Sequence, residues 1–448
     1  MDRSDVFFHG REGNMIKKPF FGFGKPKLDY AGISGLEQGE VKEIPLPERA
    51  VLFVEAPHPT VSDISFQVGD EIKTGQNLKV SPFSKSTFTS TVTGAITDIS
   101  KKTGYLGKTF LSVSIDVSET DQWDDAFSLA VQTSEPEKAG PYLNGLPGIS
   151  DMDALIHPET PLKTIVVNGM DKDLLVTTQQ MVVKSQADDL KEGIGYLKKI
   201  TGNPKVILVV PPDLSAEAAK SGAQVQTITP SYPNSLPEMI MKDVLNQVVP
   251  AGTDCSSLGV GFITAEGVAA LKSAVTEGKP PVTKMVTVIG KNEKTQVVRV
   301  RMGTPIKAVL QFLNTGALQI PLEQGDRLAI GGPMTGRSIY TEDMPVLQDT
   351  DAIMVQGKDQ LALNADDPCV NCGECIRACP VRIPVNMLVR LLENSHYEEA
   401  AQEYDLFSCI ECGLCSYVCE AKIPVFHYIM LGKYELSLTE KAEESVNG

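Results

Sequence analysis

The spacing of apolar positions changes period several times along the chain, and each change marks a candidate boundary. From about Gly35 to Val117, apolar and β-branched residues come in short alternating bursts between Gly, Asp and Asn, which predicts short strands joined by turns. Gly69-Asp70 and Thr74-Gly75 bracket one such strand, and Ser90-Thr91-Val92-Thr93-Gly94-Ala95-Ile96 sets β-branched residues around a further turn. Between Ser118 and Lys163 the periodicity is lost. Ser134-Glu135-Pro136-Glu137, Gly140-Pro141, Pro147-Gly148 and Pro158 mark a linker or irregular connection. Thr164-Ile165-Val166-Val167 and Val206-Ile207-Leu208-Val209-Val210 are then apolar runs of buried-strand type, and Val225-Gln226-Thr227-Ile228 is a third strand. Leu190, Ile194 and Leu197 fall at helical spacing in a helix from about Lys184 to Ile200, which Asn203-Pro204 stops. A short helix from Ser215 to Ser221 follows, capped by Asp213 or Ser215. Strand–helix–strand alternation predicts a parallel sheet with right-handed crossovers.

From about Thr283 the pattern returns to strands. Met285–Gly290 and Thr295–Val300 flank the polar turn Lys291-Asn292-Glu293-Lys294, and Gly303-Thr304-Pro305 opens a helix through Phe312. Thr304 is its expected cap and Pro305 its first helical residue. Arg327-Leu328-Ala329-Ile330 runs into the glycine turn Gly331-Gly332-Pro333-Met334-Thr335-Gly336. Two resemblances to known folds accompany these patterns. Val68-Gly69-Asp70-Glu71-Ile72-Lys73-Thr74-Gly75-Gln76-Asn77-Leu78 resembles the signature of biotinyl/lipoyl-like β-sandwich hybrids, and the hairpin plus helix after Thr283 looks like a β-grasp module. A lipoyl carrier would place its modified lysine on an exposed hairpin. Lys85 lies in the right interval, but Ser84-Lys85-Ser86 lacks the acidic neighbour, and a structural β domain is the preferred reading.

Composition narrows the classes. The chain has 448 residues, 42% hydrophobic and 22% charged, enough for about three ordinary globular domains. No apolar run approaches the roughly 18 residues that cross a bilayer, and Met1-Asp2-Arg3-Ser4-Asp5 has no apolar export region. Net charge is −16. From Asp366 to Gly448 there are six Lys and Arg against fourteen Asp and Glu, a net of −8. This disfavours nucleic acid as a partner. It would steer in a basic protein surface and repel an acidic ferredoxin that met no local basic patch.

Eight of the nine cysteines then supply the chemistry. They form two identical spacings, Cys369-x2-Cys372-x2-Cys375-x3-Cys379 and Cys409-x2-Cys412-x2-Cys415-x3-Cys419. In two-cluster proteins with this spacing, the fourth cysteine of each run ligates the other cluster. The expected ligand sets are therefore Cys369, Cys372, Cys375 and Cys419 for one 4Fe–4S cluster, and Cys379, Cys409, Cys412 and Cys415 for the second. Structural zinc favours paired C-x2-C knuckles over a triple run, and cysteines strung this tightly suit metal better than disulfides. Thiolates kept reduced fit the cytoplasm. Lone Cys255 reads as a structural thiol. Gly373 and Gly413 permit a positive-φ turn that brings backbone N–H groups to sulfur. Val385, Leu388, Val389 and Leu392 predict a helix from Pro384 to Glu393, and a second runs from His396 to Tyr404. Two helices between the motifs indicate a helical ferredoxin-type domain. With eight thiols present, His396 reads as a solvated helix residue.

The order of modules resembles that of the C subunits of the Rnf ion-translocating electron-transfer complexes. The resemblance is carried by Val68–Leu78, Gly331–Gly336, Cys409-Ile410-Glu411-Cys412-Gly413-Leu414-Cys415-Ser416-Tyr417-Val418-Cys419, and Lys422-Ile423-Pro424 with the helix through Tyr428 and Lys433. It implies a peripheral protein on the cytoplasmic face, bound to membrane subunits that move Na⁺ or H⁺, with FMN and NADH in the central α/β region. The chain departs from that pattern at three places. The family's G-x-G-G-A-G-F-P-T loop, whose amides cradle phosphate, stands here as Gly140-Pro141-Tyr142-Leu143-Asn144-Gly145-Leu146-Pro147-Gly148. Its N-G-A-E-x-E-P-Y becomes Asn168-Gly169-Met170-Asp171-Lys172-Asp173-Leu174-Leu175, and its Y-P-x-G-G-E-K becomes Tyr232-Pro233-Asn234-Ser235-Leu236-Pro237-Glu238.

The expected organisation is a multidomain α/β chain. An amino-terminal extension (1–34) leads into a barrel-sandwich hybrid (35–118), a linker (119–163) and a Rossmann-like domain similar to the complex I flavin subunit (164–282). A β-grasp module (283–345) and a helical ferredoxin domain with two 4Fe–4S clusters (346–448) follow. The expected function is an electron relay of an Rnf-type complex that does not use NADH. Its partners are the other Rnf subunits and a docking redox protein, a basic cytochrome or a ferredoxin. The alternative is an FMN-containing subunit that oxidises NADH or reduces NAD.

Overall fold

The computed structural model describes residues 26–33, 41–55, 64–79, 87–104, 107–132, 142–149, 151–314, 317–361 and 367–447; Lys85 and most of the 1–34 extension lie outside them. The chain is a mixed α/β protein in two compact units, one running Tyr30–Ala362 and the other containing Leu363–Gly448. None of the described helices is long and apolar enough to cross a membrane.

The first unit begins with β1 (Lys42–Glu43), β2 (Arg49–Glu55), β3 (Glu71–Ile72), β4 (Asn77–Lys79), β5 (Thr87–Thr89), β6 (Gly94–Thr103) and β7 (Thr109–Val117). An antiparallel sheet in the order β2-β7-β6-β3 and a two-stranded β4–β5 pair share one core. Alternate residues of β7, Leu111, Val113 and Ile115, are fully buried there, as the two-residue period of a strand requires. Short β1 pairs elsewhere, in parallel with a strand near residue 298.

The stretch 119–163, expected as a linker, holds α1 (Ala126–Gln132) and α2 (Asp153–Ile156). Leu143, Leu146, Ile149, Met152 and Leu155 stand three residues apart and are all buried in the core of the following sheet. Gly, Pro and Asp between them hide this stripe from a helical or strand template.

The α/β region follows as β8 (Thr164–Asn168), α3 (Thr178–Ser185), α4 (Ala187–Ile200), β9 (Lys205–Val210), α5 (Ser215–Ala219), β10 (Gln224–Thr227), α6 (Pro237–Asp243), β11 (Val260–Thr264) and α7 (Ala265–Glu277). All strand pairs are parallel, in the order β10-β9-β8-β11. Helices on a parallel sheet bury both faces of its strands, which is why β9 after Lys205 reads as the continuous apolar run VILVV. The helix expected from Lys184 starts instead at Ala187, because Gln186 (φ −129, ψ 36) leaves helical geometry and closes α3. Leu214, not Asp213 or Ser215, holds the cap position of α5.

A six-stranded mixed sheet completes this unit. β12 (Thr283–Ile289) and β13 (Thr295–Arg301) form the expected hairpin, followed by α8 (Ile306–Leu313), β14 (Arg327–Ile330), β15 (Arg337–Ile339) and β16 (Ala352–Gln356). The order is β1-β13-β12-β16-β14-β15. Ile306, Val309, Leu310 and Leu313 make one buried stripe of α8 against the sheet core. Pro305 occupies its N-cap instead of its first helical position, so the helix starts one residue later than expected, and the buried Thr304 hydroxyl makes no capping bond.

The carboxy-terminal unit is helical: α9 (Glu374–Ala378), α10 (Val385–Glu393), α11 (Tyr397–Glu403), α12 (Leu414–Tyr417) and α13 (Val425–Asn447). Leu388, Val389, Leu392, Ala400, Leu406, Val425 and Ile429 form its core together with Cys379 and Cys415.

Candidate iron–sulfur centre

Each cysteine loop ends in a left-handed glycine that starts a short helix, Gly373 (φ 75) before α9 and Gly413 (φ 72) before α12. A side chain at either position would be strained. The turn aims backbone amides at sulfur: Glu411 N–H lies 3.4 Å from Cys409 Sγ. Ile376, Leu414 and Ser416 amides likewise favour the thiolates of Cys375, Cys412 and Cys415. Such donors suit bound, anionic sulfur.

The cysteines gather across the two motifs rather than within them. Cys369, Cys372 and Cys375 share one pocket with Cys419 of the other motif, walled by Val389, Ile423 and Val425. Burial pushes the Cys375 thiol up to about 11, and Cys372, Cys369 and Cys419 add to the rise. On the other side, burial pushes Cys412 up to about 12, with Cys409 and Cys379 beside it. Burial likewise lifts Cys409 to about 11; there Lys433 opposes the rise and Cys379 adds to it. Cys415 is raised as well, by burial and then by Cys409 and Cys412, and it also feels Cys375 of the first set. Thiols held protonated this way release protons when metal binds.

The donor set fits two clusters: four sulfurs in an apolar pocket on one side, and on the other the buried Cys379, Cys412 and Cys415 with the half-buried Cys409. Among the described residues, no three His, Cys, Asp or Glu side chains are spaced to close on a single ion. A cubane, whose four thiolates each bind a different iron, asks for a wider set. His396 is exposed, with Nδ1 3.5 Å from a Glu399 carboxylate oxygen. Cys255 stands apart in the first unit, its thiol pushed up to about 12 by burial.

Spacing did not reveal Lys433, whose Nζ donates to the Cys409 carbonyl at 2.7 Å and to Glu411 Oε1 at 2.8 Å. It lies 22 residues beyond its carboxylate partner, past any local period; its place in the motif resemblance was the only signal.

In the first unit, the three departures from the nucleotide-binding pattern have structural explanations. Leu143 and Leu146 point into the core. The Gly145, Leu146 and Ile149 amides donate to Tyr142, Leu143 and Leu146 carbonyls, and Gly148 N–H donates to Gln348 O at 2.9 Å. These loop amides are thus bound within the protein. At the start of α7, Thr264 Oγ1 accepts from Gly267 N and Gln179 Oε1 accepts from Glu266 N, so that helix terminus is internally satisfied as well. Asp171 Oδ1 accepts from Gln179 N at 2.8 Å, and Oδ2 from Gln180 Nε2 at 3.2 Å. Burial pushes the Asp171 carboxyl up to about 7. Ser235 Oγ lies 2.6 Å from the Tyr30 hydroxyl and 2.8 Å from the Asp171 carbonyl; burial raises the Tyr30 phenol above its ordinary value.

Comparison with known proteins agrees with the cysteine geometry. Residues 362–420 match the 4Fe-4S dicluster domain family. The chain is 25% identical over 386 residues to the C subunit of the ion-translocating oxidoreductase complex of Pectobacterium carotovorum subsp. carotovorum, covering 81% of this chain and 51% of that one. It is 25% identical over 383 residues to the C subunit of the proton-translocating ferredoxin:NAD(+) oxidoreductase complex of Clostridium ljungdahlii, covering 81% and 82%. The chain spans about half the length of the first two curated relatives, 51% and 47%. Among solved structures, the NAD+-reducing [NiFe]-hydrogenase in its H2-reduced state aligns at 12% identity and a TM-score of 0.45, over 67% of this chain and 62% of that one. Over about four-fifths of its length the chain is thus similar to C subunits of ion-translocating oxidoreductase complexes, and its residues 362–420 match the 4Fe-4S dicluster domain family.

Proposed function

We propose that this chain is the electron-relay C subunit of an Rnf-type membrane complex and works without NADH. The observation that carries the relay is the convergence of Cys369, Cys372 and Cys375 with Cys419 in one pocket. Cys379, Cys409, Cys412 and Cys415 would hold the second cluster beside it. When bound, each cluster supplies a one-electron couple. The chain's own residues hold the thiolates, screen the second set from water and direct amides at sulfur. Independence from NADH rests on the 142–149 loop, whose Gly145, Leu146, Gly148 and Ile149 amides are taken by protein carbonyls and so are withheld from a phosphate.

The module assignments belong to the same proposal. The β2-β7-β6-β3 sheet with β4–β5 is a barrel-sandwich hybrid within 35–118. The parallel sheet is a Rossmann-like domain within 164–282, and β12 to β15 with α8 are a β-grasp module within 283–345, whose sheet β1 and β16 complete from outside those bounds. The helical unit is a two-cluster ferredoxin domain within 346–448. The partners are membrane subunits of the complex, holding the chain on the cytoplasmic face, and a docking redox protein, either a basic cytochrome or a ferredoxin.

The rival reading, an FMN-containing NAD-linked subunit, is favoured by the name of the Clostridium ljungdahlii relative. Anaerobic titration of the reconstituted protein with NADH, together with flavin extraction, separates the two. The relay reading expects no extractable flavin and no loss of cluster absorbance. One FMN per chain with rapid bleaching would establish the rival.

A further inference from the structure

We propose that Lys433 raises the reduction potential of the second cluster alone, so that an electron reaching the open first site moves on to the buried second one. This rests on the two-cluster reading above. The two halves of the helical unit repeat at an offset of forty residues, down to the backbone. Asn371 and Glu411 have φ of 54 and 57, and Arg382 and Lys422 have φ of 58 and 55. The side chains that tie down the loops break this repeat. In the first half Asn386 Nδ2 donates to Asn371 Oδ1 at 2.8 Å, and Arg377, 52% exposed, donates to the Cys372 carbonyl at 3.0 Å and to the Glu374 carboxylate, 16% exposed. In the second, Lys433 reaches from α13 to the Cys409 carbonyl and the Glu411 carboxylate. The residue forty positions before Lys433 is Glu393, which is exposed. Each loop thus carries a cation, but the better-shielded partner of the ion pair is the Glu374 carboxylate at the first loop and the Lys433 ammonium at the second.

Glu411 does not cancel that charge. The Lys433 side chain is 18% exposed and the Glu411 side chain 42%, so water screens the carboxylate more than the ammonium. The bond to the Cys409 carbonyl holds the ammonium on the ligand loop independently of Glu411. Reduction adds a negative charge, which a nearby cation stabilises. The second site needs that help: Cys379, Cys412 and Cys415 are buried, whereas Cys369, Cys372 and Cys419 are partly exposed and Val370 beside them is 58% exposed. Burial by itself makes an anionic centre harder to reduce.

The test is a redox titration of the full, reconstituted chain followed by electron paramagnetic resonance. In Lys433→Met the reduced-to-oxidised ratio of one cluster at fixed ambient potential should fall about tenfold, equivalent to 59 mV for one electron, with the other cluster unmoved. Lys433→Arg should restore the ratio to within about twofold, a small change on the scale where tenfold is one pKa unit. Glu411→Gln should shift the same midpoint in the opposite direction. The proposal is overturned if Lys433→Met moves neither midpoint or both equally, or if Lys433→Met and Glu411→Gln shift in the same direction. Should Lys433→Met lose iron, the Glu411→Gln shift decides: no rise of one midpoint alone overturns it. Fewer than eight irons in the unsubstituted protein would instead overturn the two-cluster reading beneath it.

Discussion

Asp173 grips Thr335 twice: its Oδ2 accepts the Thr335 amide and the Thr335 hydroxyl, each at 2.7 Å. Oδ1 accepts the Met334 amide at 3.0 Å and the Leu174 amide at 2.7 Å. One buried carboxylate thereby fixes the Gly331–Gly336 turn. The fit is close, since a Cβ on Gly332 would lie 2.6 Å from Asp173 Cγ. Burial raises the carboxyl's pKa while these donors restrain the rise. Asp173→Ala leaves several buried donors without an acceptor and should cost about 3 kcal/mol, measured by denaturant unfolding. A loss under about 0.5 kcal/mol, the scale of an ordinary surface change, would contradict this role.

Lys284 and Glu266 make a second buried device. Lys284 Nζ lies 3.0 Å from Glu266 Oε2, with the lysine side chain wholly buried, and Glu266 Oε1 accepts the Met285 amide at 2.7 Å. Removing one partner strands the other, so Lys284→Met should destabilise by about 3–5 kcal/mol. Adding Glu266→Gln removes the buried stranded charge while keeping an acceptor for Met285, leaving only the part-exposed Asp351 carboxylate that also lies 3.6 Å from Lys284 Nζ, and should recover much of that loss. A double-mutant cycle on thermal unfolding checks the coupling.

Asp171 predicts a pH dependence. Burial, with a smaller contribution from the Asp351 charge, pushes its carboxyl up to about 7, against the pull of the Gln179 and Gln180 donors. An unfolded aspartate titrates near about 4. Between these values the folded chain keeps a proton that the unfolded chain releases, so rising pH weakens folding. The loss develops from about pH 4 to pH 7 and is constant above. Unfolding free energies of the unsubstituted protein and Asp171→Asn, measured across this range, should show a steeper decline in the former. Parallel curves would refute it.

Exchange of the fourth cysteine between motifs makes a separate prediction. Cys419→Ser should disable the cluster of Cys369, Cys372 and Cys375 and leave the Cys409 cluster; Cys379→Ser should do the converse. Resonance spectra of the two variants should therefore lose different signals. Loss of the same signal in both would reject the crossed ligand sets.

Much of this was legible in the chain. Apolar and β-branched runs locate β8, β9 and the β12–β13 hairpin, because packing against a sheet face acts directly on residue spacing. The cysteine runs show metal chemistry for the same reason: a loop around a cluster fixes the intervals between its ligands. The stripe from Leu143 to Leu155 was hidden because its Gly, Pro and Asp spacers are turn residues, yet tertiary packing buries the apolar residues between them. Thr304 failed as a cap because Pro305 itself took the N-cap position. Contacts spanning long sequence separations, such as Asp173 with Thr335, leave no local trace.

Iron and acid-labile sulfide, counted per chain after anaerobic reconstitution and matched to a Mössbauer spectrum, test the central claim most directly. The account predicts eight of each, about four per cluster, in two cubane signals. Stoichiometric zinc in their place, or iron that saturates near four, would contradict it.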